Sequence, residues 1–222
     1  MFDFMAQHSD VISVIVNIIL TIVWIVYLNL FFISHRRQKS PMILIRRGAG
    51  TGPEARLFIS NMGAEPIYVS ALIADCYSGD KVTTAYITQN DHISAEELST
   101  PDAATNEGPL GSGDYLDAGS FDSLMKRIER HSDQPLKADE VERVTITVVA
   151  STGYSALISA ASSTYTILQC GQTRIFHPEH VSTIQHTGRR ARRRIRRRLE
   201  QQIESELEMA TPVNGQSKSE AA

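Results

Sequence analysis

The run VISVIVNIILTIVWIVYLNLFFI, Val11 to Ile33, holds no charged residue over 23 positions. As a helix it spans roughly 34 Å at ~1.5 Å per residue, enough for the ~30 Å hydrocarbon core of a bilayer with some tilt. Backbone in lipid must satisfy its own hydrogen bonds, so a helix is the reasonable solution for a single segment. A cleaved signal peptide would show a basic start, a shorter apolar core and small residues at its end. Here Asp3 and Asp10 precede the run and bulky Phe31, Phe32 and Ile33 close it. The segment is expected to stay attached.

The flanks set its direction. His35, Arg36, Arg37 and Lys39 follow the run, with Arg46 and Arg47 soon after, and no Lys or Arg precedes it. The positive-inside rule then makes Arg36, Arg37 and Lys39 the topology-determining residues. It places residues 1–10 outside the cytoplasm, 11–33 in the membrane, 34–40 as a basic juxtamembrane segment, and everything later in the cytoplasm. Within the run, Ser13, Asn17 and Thr21 fall at i, i+4 and i+8 and share one face. That stripe either associates with another helix, each bond contributing on the order of 0.6–2 kcal/mol, or bonds back to its own backbone.

The formal net charge of −3 hides segregation. Acids far outnumber bases from Asp91 to Glu142, whereas Arg189 to Arg198 holds eight arginines and no acid. Cys76 and Cys170 lie far apart without metal-ligand spacing, and in a cytoplasmic domain they are expected to be reduced and structural.

Residues 41–180 read as a mainly β domain. Met42–Arg47, Arg56–Ser60, Pro66–Ala74 and Lys81–Thr88 are short runs rich in β-branched or aromatic residues, separated by GAGTGP, NMGAEP and YSGD. In Arg143–Ser151, Val144, Ile146 and Val148 alternate with Thr145 and Thr147, as a half-buried strand requires. Ser163–Leu168 reads as a closing strand. Six or seven strands suggest a β-sandwich, with an immunoglobulin-like architecture as one form of it. One helix interrupts them: Phe121, Leu124, Met125 and Ile128 share a face, Ser120 is placed to cap, and the helix is expected to cover an open end. Asn90 to Gly113 is a long polar loop.

Three stretches, RRQKSPMILIRRGAGTG after the lone apolar run, LFISNMGAEPIYV and LDAGSFDSL, resemble those of small uncharacterised single-pass inner-membrane proteins of proteobacteria. The resemblance covers most of the chain up to the arginine run and implies a bacterial cytoplasmic membrane. It brings no activity, so no residue gains a role from it.

Gly48, Gly50 and Gly52 lead into a strand rather than a helix and lack the Lys-Ser/Thr of a phosphate-binding loop, so a hairpin turn is expected. His177, Glu179 and His180, interrupted by Pro178, fit no zinc spacing and read as a connector. Gly153–Ala156 lacks the second glycine of a nucleophile elbow, which leaves Ser155 as a turn residue. No catalytic, cofactor-binding or metal-ligating residue is expected.

The last feature is GRRARRRIRRRLEQQIESELEMA, read as a helix over 188–209 before a disordered tail at 210–222. Ala191, Ile195, Leu199, Ile203 and Leu207 recur every four residues and form a slowly drifting apolar stripe. Arg189, Arg190, Arg192, Arg193, Arg194, Arg196, Arg197 and Arg198 fill its first half and glutamates its second. This order opposes the helix macrodipole, which prefers acids first. Four readings stand: the basic half on anionic lipid with the stripe in the headgroups, an antiparallel pair of copies forming a coiled coil, a grip on nucleic acid, and a solvated tail. The expectation that follows is a membrane-anchored cytoplasmic interaction or accessory module without catalytic activity. Its partners would be membrane lipids, then a second copy or another membrane protein, with nucleic acid last. The alternatives are an accessory subunit of a larger membrane complex held through Ser13, Asn17 and Thr21, and an enzyme.

Overall fold

The computed structural model describes residues 9–38, 41–87, 107–152, 155–171 and 173–210. Lys39, most of the expected 90–113 loop and the tail from 211 lie outside them. The first element, α1 (Ser9–Gln38), runs 30 residues. Its stretch Asp10–Ser34 has a mean hydropathy of 2.7 and is long and apolar enough to cross a membrane or act as a signal sequence. The helix continues past the uncharged run through Arg36 and Arg37, both good helix formers.

Ten strands follow. The chain runs β1 (Ile43–Arg47), β2 (Arg56–Asn61), β3 (Ile67–Ser78), β4 (Lys81–Tyr86), β5 (Gly108–Leu110), β6 (Tyr115–Ser120), α2 (Phe121–His131), a 3-10 turn at Ala138–Glu140, β7 (Arg143–Thr152), β8 (Ser155–Cys170), β9 (Thr173–Pro178), β10 (Ile184–Gln185) and α3 (Arg189–Ala210). A small sheet has the order β1-β2-β6. The large sheet follows β10-β8-β7-β3-β4, with β5 beside the start of β3 and β9 beside the end of β8. Every pairing is antiparallel.

The expectation of six or seven strands is corrected in three places. Ser163–Leu168 is only the interior of a strand 16 residues long. Ser155 opens that strand instead of sitting in a turn. His177 and Pro178 end β9 rather than forming a connector. The first half of β8, SALISAASS, is built from Ala and Ser, which carry little strand propensity. Its small side chains suit a strand that a helix covers, a context invisible in the local sequence. By contrast, β1 and β2 pair as the antiparallel hairpin expected around Gly48–Gly52.

Both sheets face one hydrophobic cluster. Ile43, Ile45, Leu57 and Ile59 enter it from the small sheet, and Leu72, Ala74, Val144, Ile146 and Val148 from the large one. The α2 helix closes it with Phe121, Leu124, Met125 and Ile128, the four positions expected from their spacing. Ser120 caps α2 by accepting from the Ser123 amide at 3.2 Å. The amides of Phe121 and Asp122 donate to the carbonyls of Ala55 and Pro53 at 2.9 and 2.8 Å, so the glycine-rich β1–β2 loop holds the start of α2. Phe121 stacks on Phe176 at 4.4 Å between ring centres and meets Tyr165 edge-on at 5.0 Å. Replacing Phe121 by Ala should lower stability by about 3–5 kcal/mol, read as a fall in the thermal midpoint of the full chain in detergent. An unchanged midpoint would show that this ring cluster does not organise the core.

Candidate anion-binding surface

Strands β3 and β7 are buried on both faces at their centres. A bulge between Val69 and Ala71 switches the inward parity of β3. Leu72, Ala74 and Cys76 then point into the main core, while Ala71 and Ile73 face outward with Val149 and Ala160. Helix α3 lies over that outer patch. Ile195 is 7% exposed there, with Tyr86, Ile158 and Leu199 packed around it. The expectation that Thr147 faces solvent is corrected: it is buried, on the same outer face of β7 as Val149, which packs with Ile195 of α3.

The apolar stripe of α3 does not all reach the sheet. At 100° per residue an i, i+4 repeat drifts by about 40° at each step. Ala191, Ile195 and Leu199 touch or approach the sheet, whereas Ile203 and Leu207 have rotated away and are 57% and 61% exposed. The docked half of the stripe is therefore occupied by protein.

One ion pair fixes the orientation of α3. Arg198 Nη1 donates to Asp75 Oδ2 at 3.0 Å, and Nη2 donates to Asp75 Oδ1. Arg198 Nη2 also donates to Thr84 Oγ1 at 3.2 Å, and Thr84 donates in turn to Asp75 at 2.9 Å. Tyr86 completes the group, its hydroxyl donating to the Arg198 carbonyl at 3.0 Å. Asp75 is 9% exposed at the centre of β3, where an unpaired carboxylate would be costly. The hydrogen-bonded carboxylate holds the Arg198 proton more firmly than usual. The sequence carried one signal for this, a lone acid inside the apolar run ALIADCYS.

The eight arginines thus divide. Arg198 and Arg192 turn toward the sheet and are partly buried; Arg189, Arg190, Arg193, Arg194, Arg196 and Arg197 are exposed. Among the described residues, Arg189, Arg190, Arg193, Arg194 and Arg197 have no carboxylate within ion-pair distance. They line a surface groove with Arg198 and Gln201, and no acid lines it. Like charges at i, i+4 cost about 0.2–0.5 kcal/mol per pair, and cations in the first turns also oppose the macrodipole. An anion seated in the groove relieves both.

The lead-in to α3 is tied to the strand nearest α1. The Ile43 amide donates to Gln185 Oε1 at 3.3 Å, and the Gln185 amide nitrogen donates back to the Ile43 carbonyl. Thr183 does the same for Ile45, accepting at 2.9 Å and donating at 3.2 Å. Two side chains thereby cover the free edge of β1. Ile43 follows Gln38, the last residue of α1, by five positions, a reach of at most about 18 Å.

Beneath the start of α3, Ser162 Oγ and His186 Nε2 lie 2.8 Å apart, a contact the sequence did not signal. Ser162 is buried within β8, and the His186 amide donates to the Ala160 carbonyl at 2.7 Å. Burial, and secondarily the nearby Arg194, holds the His186 imidazole below its ordinary value.

The other expected positions fall elsewhere. Thr21 donates its hydroxyl to the Asn17 carbonyl of its own helix at 2.8 Å. Asn17 and Thr21 line a shallow recess on α1 with Val14, Ile18 and Ile22, and Ser13 lies one turn before Asn17. Glu179 accepts from Thr166 at 2.8 Å and faces Arg143 at 3.8 Å. Among the described residues no three metal-ligating side chains converge. Cys76 is buried, its thiol pushed up to about 12 by burial and by Asp75, whereas Cys170 is exposed, contrary to a structural role.

Two outcomes follow. Asp75→Asn removes the charge that anchors Arg198 and should cost about 1–3 kcal/mol, discounted toward the lower end because Arg198 is partly exposed. Trypsin should then cut α3 faster than in the unaltered chain, and an equal rate would discard the latch. His186 binds a proton less readily when α3 is docked than when the chain is open, so its stabilising share is full above the ordinary imidazole value of 6.5 and is lost as pH falls through it. The thermal midpoint should drop between pH 7.5 and 5.5, and His186→Gln should shrink that drop; an identical drop in both would remove His186 as its source.

Comparison with known proteins finds no matching family model, no matching curated protein and no matching solved structure.

Proposed function

We propose that this chain is a single-pass protein of the cytoplasmic membrane that acts as an interaction module through the arginine face of α3. In this reading α1 is the anchor, the N-terminus lies outside, and the soluble part is cytoplasmic. The shared core supports taking the two sheets as a β-sandwich; only antiparallel pairing speaks for its immunoglobulin-like form. The observation that carries the reading is the division of the arginines: Arg198 is spent on Asp75, and five guanidiniums on the outer side have no acidic partner among the described residues. A docked helix cannot dip its whole apolar stripe into headgroups, so contact with lipid is electrostatic, each arginine contributing about 1 kcal/mol near an anionic surface.

The test is protection of α3 in the full chain reconstituted into vesicles. Anionic vesicles should slow tryptic cleavage of α3 severalfold at low salt and lose that effect at high salt, since ~1 M salt shortens screening to ~3 Å. Neutral vesicles should give no protection. Equal protection by both would exclude an electrostatic contact. Digestion of a C-terminal tag by protease outside sealed spheroplasts would overturn the orientation.

A further inference from the structure

Five of the six exposed arginines of α3 form two parallel rows, and Arg196 lies outside them. Arg189, Arg193, Arg197 and Gln201 make one, and Arg190 and Arg194 make the other, which ends at the latched Arg198. Successive members of a row are four residues apart, about 6 Å along the helix. The groove runs between the rows. Its floor is the helix itself, and its far end is fixed, because Arg198 is held by Asp75, Thr84 and the sheet. The neighbouring guanidiniums therefore stand on a backbone that cannot roll.

We infer that this groove is a site for phosphomonoester groups, the terminal phosphoryl of a lipid headgroup or a free phosphate anion. The inference rests on the anionic-surface reading above and narrows it. A phosphomonoester carries about −1.5 to −2 charge at pH 7 and three free acceptor oxygens. A phosphodiester headgroup carries one charge and two free oxygens. Guanidinium forks bind such oxygens two at a time. A phosphoryl between the rows can accept from Arg190 and Arg194 on one side and from Arg193 or Arg197 on the other, which a phosphodiester can do only in part. Charge density points the same way. Five guanidiniums crowd three turns, and dianions neutralise them with half the number of ligands that monoanions need. The site also lies over the first turns of α3, where the macrodipole favours an anion. Gln201 ends the row with a neutral donor and acceptor, so the basic groove closes there.

The experiment measures binding to the full-length protein in detergent, by native mass spectrometry with thermophoresis as a second readout. The probes are short-chain phosphatidic acid, short-chain phosphatidylglycerol and inorganic phosphate at pH 7.5. Phosphatidic acid should bind at least about tenfold more tightly than phosphatidylglycerol. Arg190→Lys with Arg194→Lys, which keeps the charge and loses the forks, should abolish that preference while phosphatidylglycerol binding survives. Lys126→Gln, an exposed charge on α2, should change nothing. Both altered sites are exposed, and an unchanged thermal midpoint confirms the fold. Inorganic phosphate matching phosphatidic acid assigns the ligand to solution, and phosphatidic acid alone assigns it to the membrane; either supports the site. Equal affinity for the two lipids overturns the selectivity and leaves the anionic-surface reading standing. Failure to bind any of the three, with no vesicle protection, removes both.

Discussion

The arrangement of the strand-rich part depends on one charge placed where charge is expensive. Asp75 sits at the centre of β3, nearly inaccessible. A carboxylate there is tolerated only because Arg198 and Thr84 satisfy it. That requirement does what apolar packing on a shallow patch of Ala and Val cannot do alone: it sets the rotation of α3 about its own axis. Sliding the helix by one residue would turn Arg198 by 100° and strand the acid. The pair is thus worth more as a register than as a source of stability.

Much of the fold was legible because several local signals agreed. The apolar length of α1, the cap and spacing of α2, and the β-branched run of β7 each had one physical meaning; α2 starts at its expected cap, and β7 starts at Arg143 as expected and runs one residue further, to Thr152. The misses share a cause: what lies above a strand is not written in it. The Ala and Ser of β8 look like loop until a helix covers them, and Thr147 looks solvent-facing for the same reason. The arginines were legible as a cluster, but their division into latch and exposed rows depends on Asp75, more than 100 positions away. The drift of the i, i+4 stripe was calculable beforehand, although which end meets the sheet was not.

The reversed charge order of α3 finds its physical account in the same contacts. Arginines early and glutamates late weaken an isolated helix. Here Ile195 and Arg198 hold it from outside, so the helix can carry an arrangement its own backbone disfavours. Placing unbalanced positive charge on a braced scaffold keeps it displayed instead of letting it collapse onto nearby acids.

The clasp of Thr183 and Gln185 on β1 has a further consequence, for the order in which the protein is made. Ile43 leaves the ribosome early, just behind α1, yet the side chain that satisfies it comes 142 residues later. At about 5–20 residues per second, that interval is roughly 7–30 s. Until then the hairpin of β1 and β2 presents an open edge of the kind that recruits foreign strands. The large sheet also waits for β7 and β8 before β3 has its central neighbour. The domain therefore closes in one late step, after almost all of its chain has emerged, and the segment that completes it is the one that carries α3 into place.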